Sequence, residues 1–258
     1  MTPRPSAPLS ARALRPQARE LAPPASGCLH VWRVDLAAAG EGLLRLLSEE
    51  ERERAVRIIS ARRARLWSHA RAALRALLGG YLACDPATVT LATDGRGKPA
   101  LRGGSASTSG AEEARARDLR YNVSHSGEVA LVALSAGEEV GVDVELARRA
   151  RDAAAVAKRV FGAGHATRLQ ELEGAEREHE FLRLWVRREA SLKCLGTRPS
   201  DPRFNGEAQQ LLHPRPWLAE LDVGPCGAAA VAMRREPREL RYFNWRPASA
   251  ATKAGPAR

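Results

Sequence analysis

Lysine is scarce in this chain. Of its 41 basic residues only four are lysine, at 98, 158, 193 and 253, and the rest are arginine. Aromatic residues make up 5% of the sequence, too few for the stacking platforms that single-stranded nucleic acid requires. The four cysteines, Cys28, Cys84, Cys194 and Cys226, share no CxxC spacing. That excludes the common zinc patterns and a disulfide framework, and it predicts reduced thiols in a cytoplasmic protein. Long apolar runs are missing as well. The longest, VALVAL at 129–134, suits a buried strand and not a membrane span. Acidic residues are absent before Glu20, and the first 27 residues have no apolar core of the kind a secretory signal needs. Their proline content predicts a disordered extension over 1–27, and a second disordered tail is expected over 248–258. What is present is ordinary for a globular protein: 44% hydrophobic and 28% charged residues over 258 positions, enough for one large or two small domains. The net charge of +11 favours anionic partners.

Patterning divides the chain into two stretches of similar make-up. CLHVWRVDL (28–36) reads as a strand. Ser48 and Glu51 stand in capping-box spacing at the head of a helix over 48–59. A second, amphipathic helix carries apolar positions 66, 70, 73, 74, 77 and 78, with Gly79-Gly80 expected to loosen its end. A short strand over 89–93, the turn DGRGKP, a polar loop over 103–118 and the doubly apolar strand EVALVALS follow. VGVDVE (140–145) opens the second stretch. Helices are predicted over 152–162 and 176–196, the latter closed by Gly196, with strands over 218–224 and 227–235. The fold class is therefore α+β: two similar α/β halves, 28–136 and 137–247, about a pseudo-twofold axis.

Four stretches carry candidate chemistry. In VGVDVE the valines share one face, and Asp143 and Glu145 share the other. Two carboxylates that close call for a positive partner, a divalent cation in particular, or else form the solvated face of an edge strand. On the long second-half helix Trp185, Glu189 and Lys193 recur at i, i+4 and i+8 with Arg188 beside them. They form either a surface Glu–Lys pair or a third carboxylate for the same cation. YNVSHSG brings Asn122, Ser124, His125 and Ser126 into the start of an apolar strand, as a locally bonded turn or as phosphate contacts. GRGKP (95–99) is a glycine-rich turn with a lysine and lacks Walker A spacing. Arg52, Arg54 and Arg65 are solvated arginines by default.

In the order GKP, NVSHSG, VGVDVE, WVRREASLK, these stretches resemble the signature series of 4′-phosphopantetheinyl transferases of the surfactin-synthetase type, over about residues 48–196. The resemblance implies the transferase fold of two α/β halves and an enzyme of the holo-[acyl-carrier-protein] synthase class. Such enzymes move the phosphopantetheine arm of coenzyme A to a serine of an apo acyl or peptidyl carrier protein and release adenosine 3′,5′-bisphosphate. It further implies that Asp143, Glu145 and Glu189 hold Mg²⁺ and that Glu189 serves as base, directly or through a metal-bound water. Lys193 and Arg188 would contact phosphate. His125, Arg54 and Arg65 would bind the 3′-phosphate of coenzyme A, and Lys98, Pro99, Asn122 and Ser124 would line the adenine pocket. The chain departs from the usual pattern at Arg188, where the family carries lysine. A monomer serving polyketide or nonribosomal-peptide carriers is expected, with carrier docking around 150–180 and neither nucleic acid nor membrane as partner. The alternatives are a non-catalytic module binding coenzyme A or carrier protein, and a basic nucleic-acid binder using the arginine-rich helix 52–75.

Overall fold

The structure, a computed structural model, describes residues 21–93, 99–101, 118–147, 153–197 and 215–245. Lys98, most of the GRGKP turn, the polar loop up to residue 117 and most of the two expected tails lie outside the described residues. In chain order the elements are β1 (Cys28–Asp35), a 3₁₀ turn (Glu41–Leu46), α1 (Glu49–Val56), α2 (Ala61–Leu82), a second 3₁₀ turn (Pro86–Thr88), β2 (Leu91–Thr93) and β3 (Pro99–Leu101). Then come β4 (Leu119–Ser126), β5 (Val129–Ala136), β6 (Val140–Leu146), α3 (Ala153–Phe161), α4 (Ala163–Gln170), α5 (Gly174–Leu195), β7 (Trp217–Leu221), β8 (Gly227–Met233) and β9 (Glu239–Trp245). The mixed α+β expectation holds. Of the elements, β3, β4, α4, β9 and the two 3₁₀ turns are additional to those predicted; YNVSHSG, expected as a turn or the entry to the next strand, forms most of β4.

Alternation on the strands builds four layers. On β1, Trp32 and Val34 point to a core shared with Leu74, Leu77 and Tyr81 of α2, while Leu29 and Val31 point the other way. β5 divides likewise, with Val132 and Leu134 toward α2 and Leu131 and Ala133 toward the second sheet. There they meet Val140, Val142 and Val144 of β6 and Val231 of β8. The far face of β8, Ala228, Ala230 and Ala232, packs with Val186 and Ala190 of α5 and with Phe161 of α3. The layers therefore run helix, sheet, sheet, helix, each sheet covered on both faces. The first sheet has the order β4-β5-β1-β9, and the second β6-β8-β7. β9 runs parallel to β1, with Val31 opposite Tyr242, so the last described strand returns to the sheet begun by the first.

Helix ends follow local chemistry. Ser48 and Glu51 form the full capping box of α1. α2 does not loosen at Gly79-Gly80 but continues to Leu82, with Ala83 closing it in the left-handed conformation. The reason is packing, since a Cβ on Gly79 would stand 2.8 Å from Pro86. α5 ends at Gly196, φ +69°, as its sequence predicts. None of the four cysteines is in a disulfide, as their spacing predicts. Among the described residues no helix is long and apolar enough to cross a membrane.

Candidate active site

Among the described residues β6 is an edge strand, pairing with β8 on one side. Its polar face is nevertheless not solvated, because α5 lies over it. Gly141 makes this approach possible: a Cβ there would fall 2.0 Å from the carbonyl oxygen of Ala190 and 2.4 Å from the nitrogen of Cys194. The helix backbone thus rests on the strand, and the side chains on either side of that contact are pressed together. Arg183 and Arg187 of α5 reinforce the seating through Glu220 of β7, at 2.8 and 2.9 Å. Trp185 stacks on Phe181 and meets Phe161 edge to face, which places it in the third core cluster.

Asp143 and Glu189 are consequently buried, at 4% and 5% exposure. Lys193, one helical turn beyond Glu189, donates to Asp143 Oδ1 at 2.6 Å, to the carbonyl of Val142 at 3.1 Å and to Ser124 Oγ at 3.2 Å. Those three acceptors use the three donors of an ammonium group. Ser124 in turn donates to Asp143 Oδ1 at 2.8 Å. Asp143 Oδ2 is buried and has no hydrogen-bond partner. Arg188, also buried, donates to Glu189 Oε1 at 2.8 Å.

Burial pushes the Asp143 carboxyl above its ordinary range, and the Lys193 charge pulls against that shift. Glu189 is likewise raised, first by burial and then by the neighbouring charge of Asp143, with Arg188 and Lys193 opposing. The two buried carboxylates repel one another, and Lys193 and Arg188 are the cations beside them. Burial lowers the pKa of Arg188, with Glu189 opposing.

The remaining predicted residues are placed as follows. Glu145 is half-buried on the same strand and accepts from Ser126 Oγ at 2.9 Å. Asn122 is buried, and its Oδ1 accepts the N–H of Val142 at 2.9 Å. His125 is exposed on β4, and Pro99 opens β3 opposite Thr93. Arg54 is exposed on α1 with its guanidinium 5.3 Å above the Trp67 ring, and Arg65 is exposed on α2. The structure thus unites Ser124, Asp143, Glu189, Arg188 and Lys193, and sets Arg54 and Arg65 on the helices of the other half. Among the described residues no three His, Cys, Asp or Glu side chains gather as a ready metal cluster. The donor chemistry still suits a magnesium ion, which commonly takes one or two carboxylates and completes its shell with substrate phosphates and water. The unbonded buried oxygen of Asp143 is the specific sign of fit.

Sequence reasoning passed over Gly141, and it read Ser126 as part of a turn or a phosphate contact where the structure makes it a partner of Glu145 and Leu146. Both were signalled by alternation: Asn122, Ser124 and Ser126 recur at two-residue steps opposite an acidic strand with the same step, and Gly141 occupies the polar face where a side chain was due.

Residues 36–137 match the family described as 4′-phosphopantetheinyl transferase, N-terminal, and residues 139–219 match the 4′-phosphopantetheinyl transferase superfamily. Relatives agree. The chain is 33% identical over 171 residues to the 4′-phosphopantetheinyl transferase HetI of Nostoc sp., covering 65% of this chain and 68% of that protein. It is 33% identical over 155 residues to a putative 4′-phosphopantetheinyl transferase, slr0495, of Synechocystis sp., covering 60% and 59%. The AcpT transferase of Salmonella typhimurium is 31% identical over 101 residues, 39% of this chain and 46% of that one. The chain belongs to the 4′-phosphopantetheinyl transferase family. The boundary between the two family matches, at residues 137–139, falls in the turn between β5 and β6. This transferase therefore has its buried carboxylates at the first strand and the long helix of the second matched segment, with Ser124 contributed by the last part of the first.

Proposed function

We propose that this transferase moves the 4′-phosphopantetheine arm of coenzyme A to a serine of an acidic apo acyl or peptidyl carrier protein, with Mg²⁺ as cofactor, as the surfactin-synthetase type does. One observation carries the reading: the buried Asp143 and Glu189 converge beneath Lys193, with Asp143 Oδ2 unbonded. Asp143, Glu189 and Glu145 would hold the ion. When bound, it would supply positive charge against that growing on the pyrophosphate oxygens. The chain's own groups do the rest. The carrier serine oxygen bonds to the phosphorus bearing pantetheine, and the bond from that phosphorus to the bridging oxygen breaks. Adenosine 3′,5′-bisphosphate departs with the bridging oxygen. The serine proton passes to Glu189 Oε2, the oxygen that Arg188 does not hold. Lys193 and Arg188 keep positive charge at the pocket. Arg54, Arg65 and His125 would receive the 3′-phosphate, with Lys98, Pro99, Asn122 and Ser124 near the adenine.

The +11 charge supports polyanionic partners, both coenzyme A and carrier. Carrier docking falls to the 150–180 region in this reading, and the enzyme works as a cytoplasmic monomer on polyketide or nonribosomal-peptide carriers. The test is direct. Incubated with coenzyme A, Mg²⁺ and a panel of apo carrier proteins, the enzyme should add one phosphopantetheine mass to a carrier in intact-mass spectra. Unmodified carriers throughout, beside an active control transferase, would refute the proposal.

A further inference from the structure

Beyond the residues that face substrate, we infer that Ser126 is a positioning residue, which fixes the Glu145 carboxylate and the height of the acidic strand in the transfer site. The inference rests on the reading above, in which Asp143 and Glu145 serve a divalent cation. Ser126 ends β4 and is 4% exposed. Its hydroxyl is used in both directions, donating to Glu145 Oε2 at 2.9 Å and accepting the N–H of Leu146 at 3.1 Å.

The setting explains why one hydroxyl does so much. β8 pairs with one edge of β6, and among the described residues no strand pairs with the other. Backbone donors on a buried open edge must still be met. The polar side chains of β4 meet them: Asn122 takes the N–H of Val142 at 2.9 Å, and Ser126 takes that of Leu146 four residues on. Between these two ties, Ser124 and Ser126 donate to Asp143 and Glu145 respectively. Two-residue steps on β4 thus match two-residue steps on β6, and each acid receives its own hydroxyl. Asp143 has Lys193 as a further restraint. Glu145 has a longer side chain with one more rotatable bond, so the tie to Ser126 limits more freedom there. Loss of that hydroxyl would remove this restraint on the carboxylate and loosen its place beside its like-charged neighbour, at the expense of cation binding.

The test reads metal affinity directly, by electron paramagnetic resonance titration of Mn²⁺ in the presence of saturating coenzyme A. Ser126→Ala is expected to weaken Mn²⁺ binding about tenfold, the scale of one charge-assisted hydrogen bond. Ser126→Thr, which keeps the hydroxyl, should stay within about threefold of the unmodified enzyme. Combined with Glu145→Gln, Ser126→Ala should cause no loss beyond that of Glu145→Gln alone, because the two residues act as one unit. A purely structural serine would instead lower the melting temperature and leave Mn²⁺ affinity unchanged well below it, and that result overturns the inference. Losses that add in the double variant also overturn it. Should Ser126→Ala fail to fold, Ser126→Cys, whose thiol donates weakly, replaces it with the same criteria. Asp143→Asn separates the two levels. If it abolishes Mn²⁺ binding while Ser126→Ala does not weaken it, only the role of Ser126 falls. If Asp143→Asn binds Mn²⁺ as before, the metal reading falls, and the inference with it.

Discussion

Asp143 owes its chemistry to a conflict between burial and pairing. Burial raises its pKa more than Lys193 and Ser124 lower it, so the side chain is costly to keep charged and is satisfied on one oxygen only. Structural economy alone would favour an asparagine here, which fits the same volume and needs no counter-charge. Asp143→Asn is therefore expected to keep the fold, with an unchanged far-ultraviolet circular dichroism spectrum, while the transfer rate drops at least about a hundredfold. A variant that folds and turns over at the original rate would remove Asp143 from the mechanism. At this scale the sequence singled out residues that the fold brings together, Asp143, Glu189, Arg188, Lys193 and Ser124, and was silent about their bonds. VGVDVE left open a solvated edge or a cation site, and the outcome turns on α5 covering the strand. No residue count within the strand reveals that cover. Arg188 shows the same limit. Its identity is visible in the sequence, but not that it is buried and bonded to Glu189.

Between β6 and α5 the controlling feature is a missing side chain. Gly141 lets the helix backbone come within van der Waals reach of the strand, and this brings Glu189 and Lys193 down beside Asp143. A methyl group would meet backbone atoms at 2.0 and 2.4 Å, and backbone atoms cannot rotate aside as a side-chain end does. Gly141→Ala must then push α5 away or twist β6. We expect a loss of about 3 kcal/mol in unfolding free energy, at the upper end for overpacking. Activity should fall further than stability accounts for, since the ion pair of Lys193 and Asp143 spans the same gap. Urea unfolding and transfer assays measure the two effects separately; an alanine variant of unchanged stability would show that the helix is not seated by this contact. Elements with a strong period were legible in the sequence: α2 and α5 by their apolar spacing, β5 by its continuous burial, and α1 by its capping box. β9 was not. Its exposed and buried residues do not alternate cleanly, and its partner β1 lies some two hundred residues earlier, so its strand state depends on a neighbour that local pattern cannot supply.

For the molecule as a whole, β1 is the strand that joins both ends of the chain, lying between β5 and β9 in the first sheet. A histidine stands in it. His30 is buried, its Nδ1 2.9 Å from the hydroxyl of Tyr81, which also accepts from Trp32 Nε1 at 2.8 Å. The Tyr81 hydroxyl, which accepts from Trp32, keeps its own proton available for a neutral His30 ring. Burial, aided by the charge of Arg241, lowers its pKa from 6.5 to about 4. The sign of the stability effect follows. Above pH 6.5 the ring is neutral in folded and unfolded chains alike, and it adds no pH dependence. As pH falls below 6.5 the unfolded chain takes up a proton that the folded chain refuses until about pH 4, so stability drains away across that window. The full shift corresponds to a loss of about 3 kcal/mol, complete once the folded ring also protonates. Glu51 acts in the same direction at lower pH. Burial works against its charge, but the Ser48 N–H, Arg75 and Arg71 hold its carboxyl below the ordinary range. Urea unfolding at a series of pH values between 7 and 4 should therefore show a loss from His30, against which the raised Asp143 and Glu189 carboxyls act in the opposite direction. In His30→Gln the amide oxygen can still accept from Tyr81 and carries no titrating proton, so the curve between pH 6.5 and 4 should flatten. Parallel curves for the two proteins would assign the acid loss to other groups and exclude the buried ring as its source.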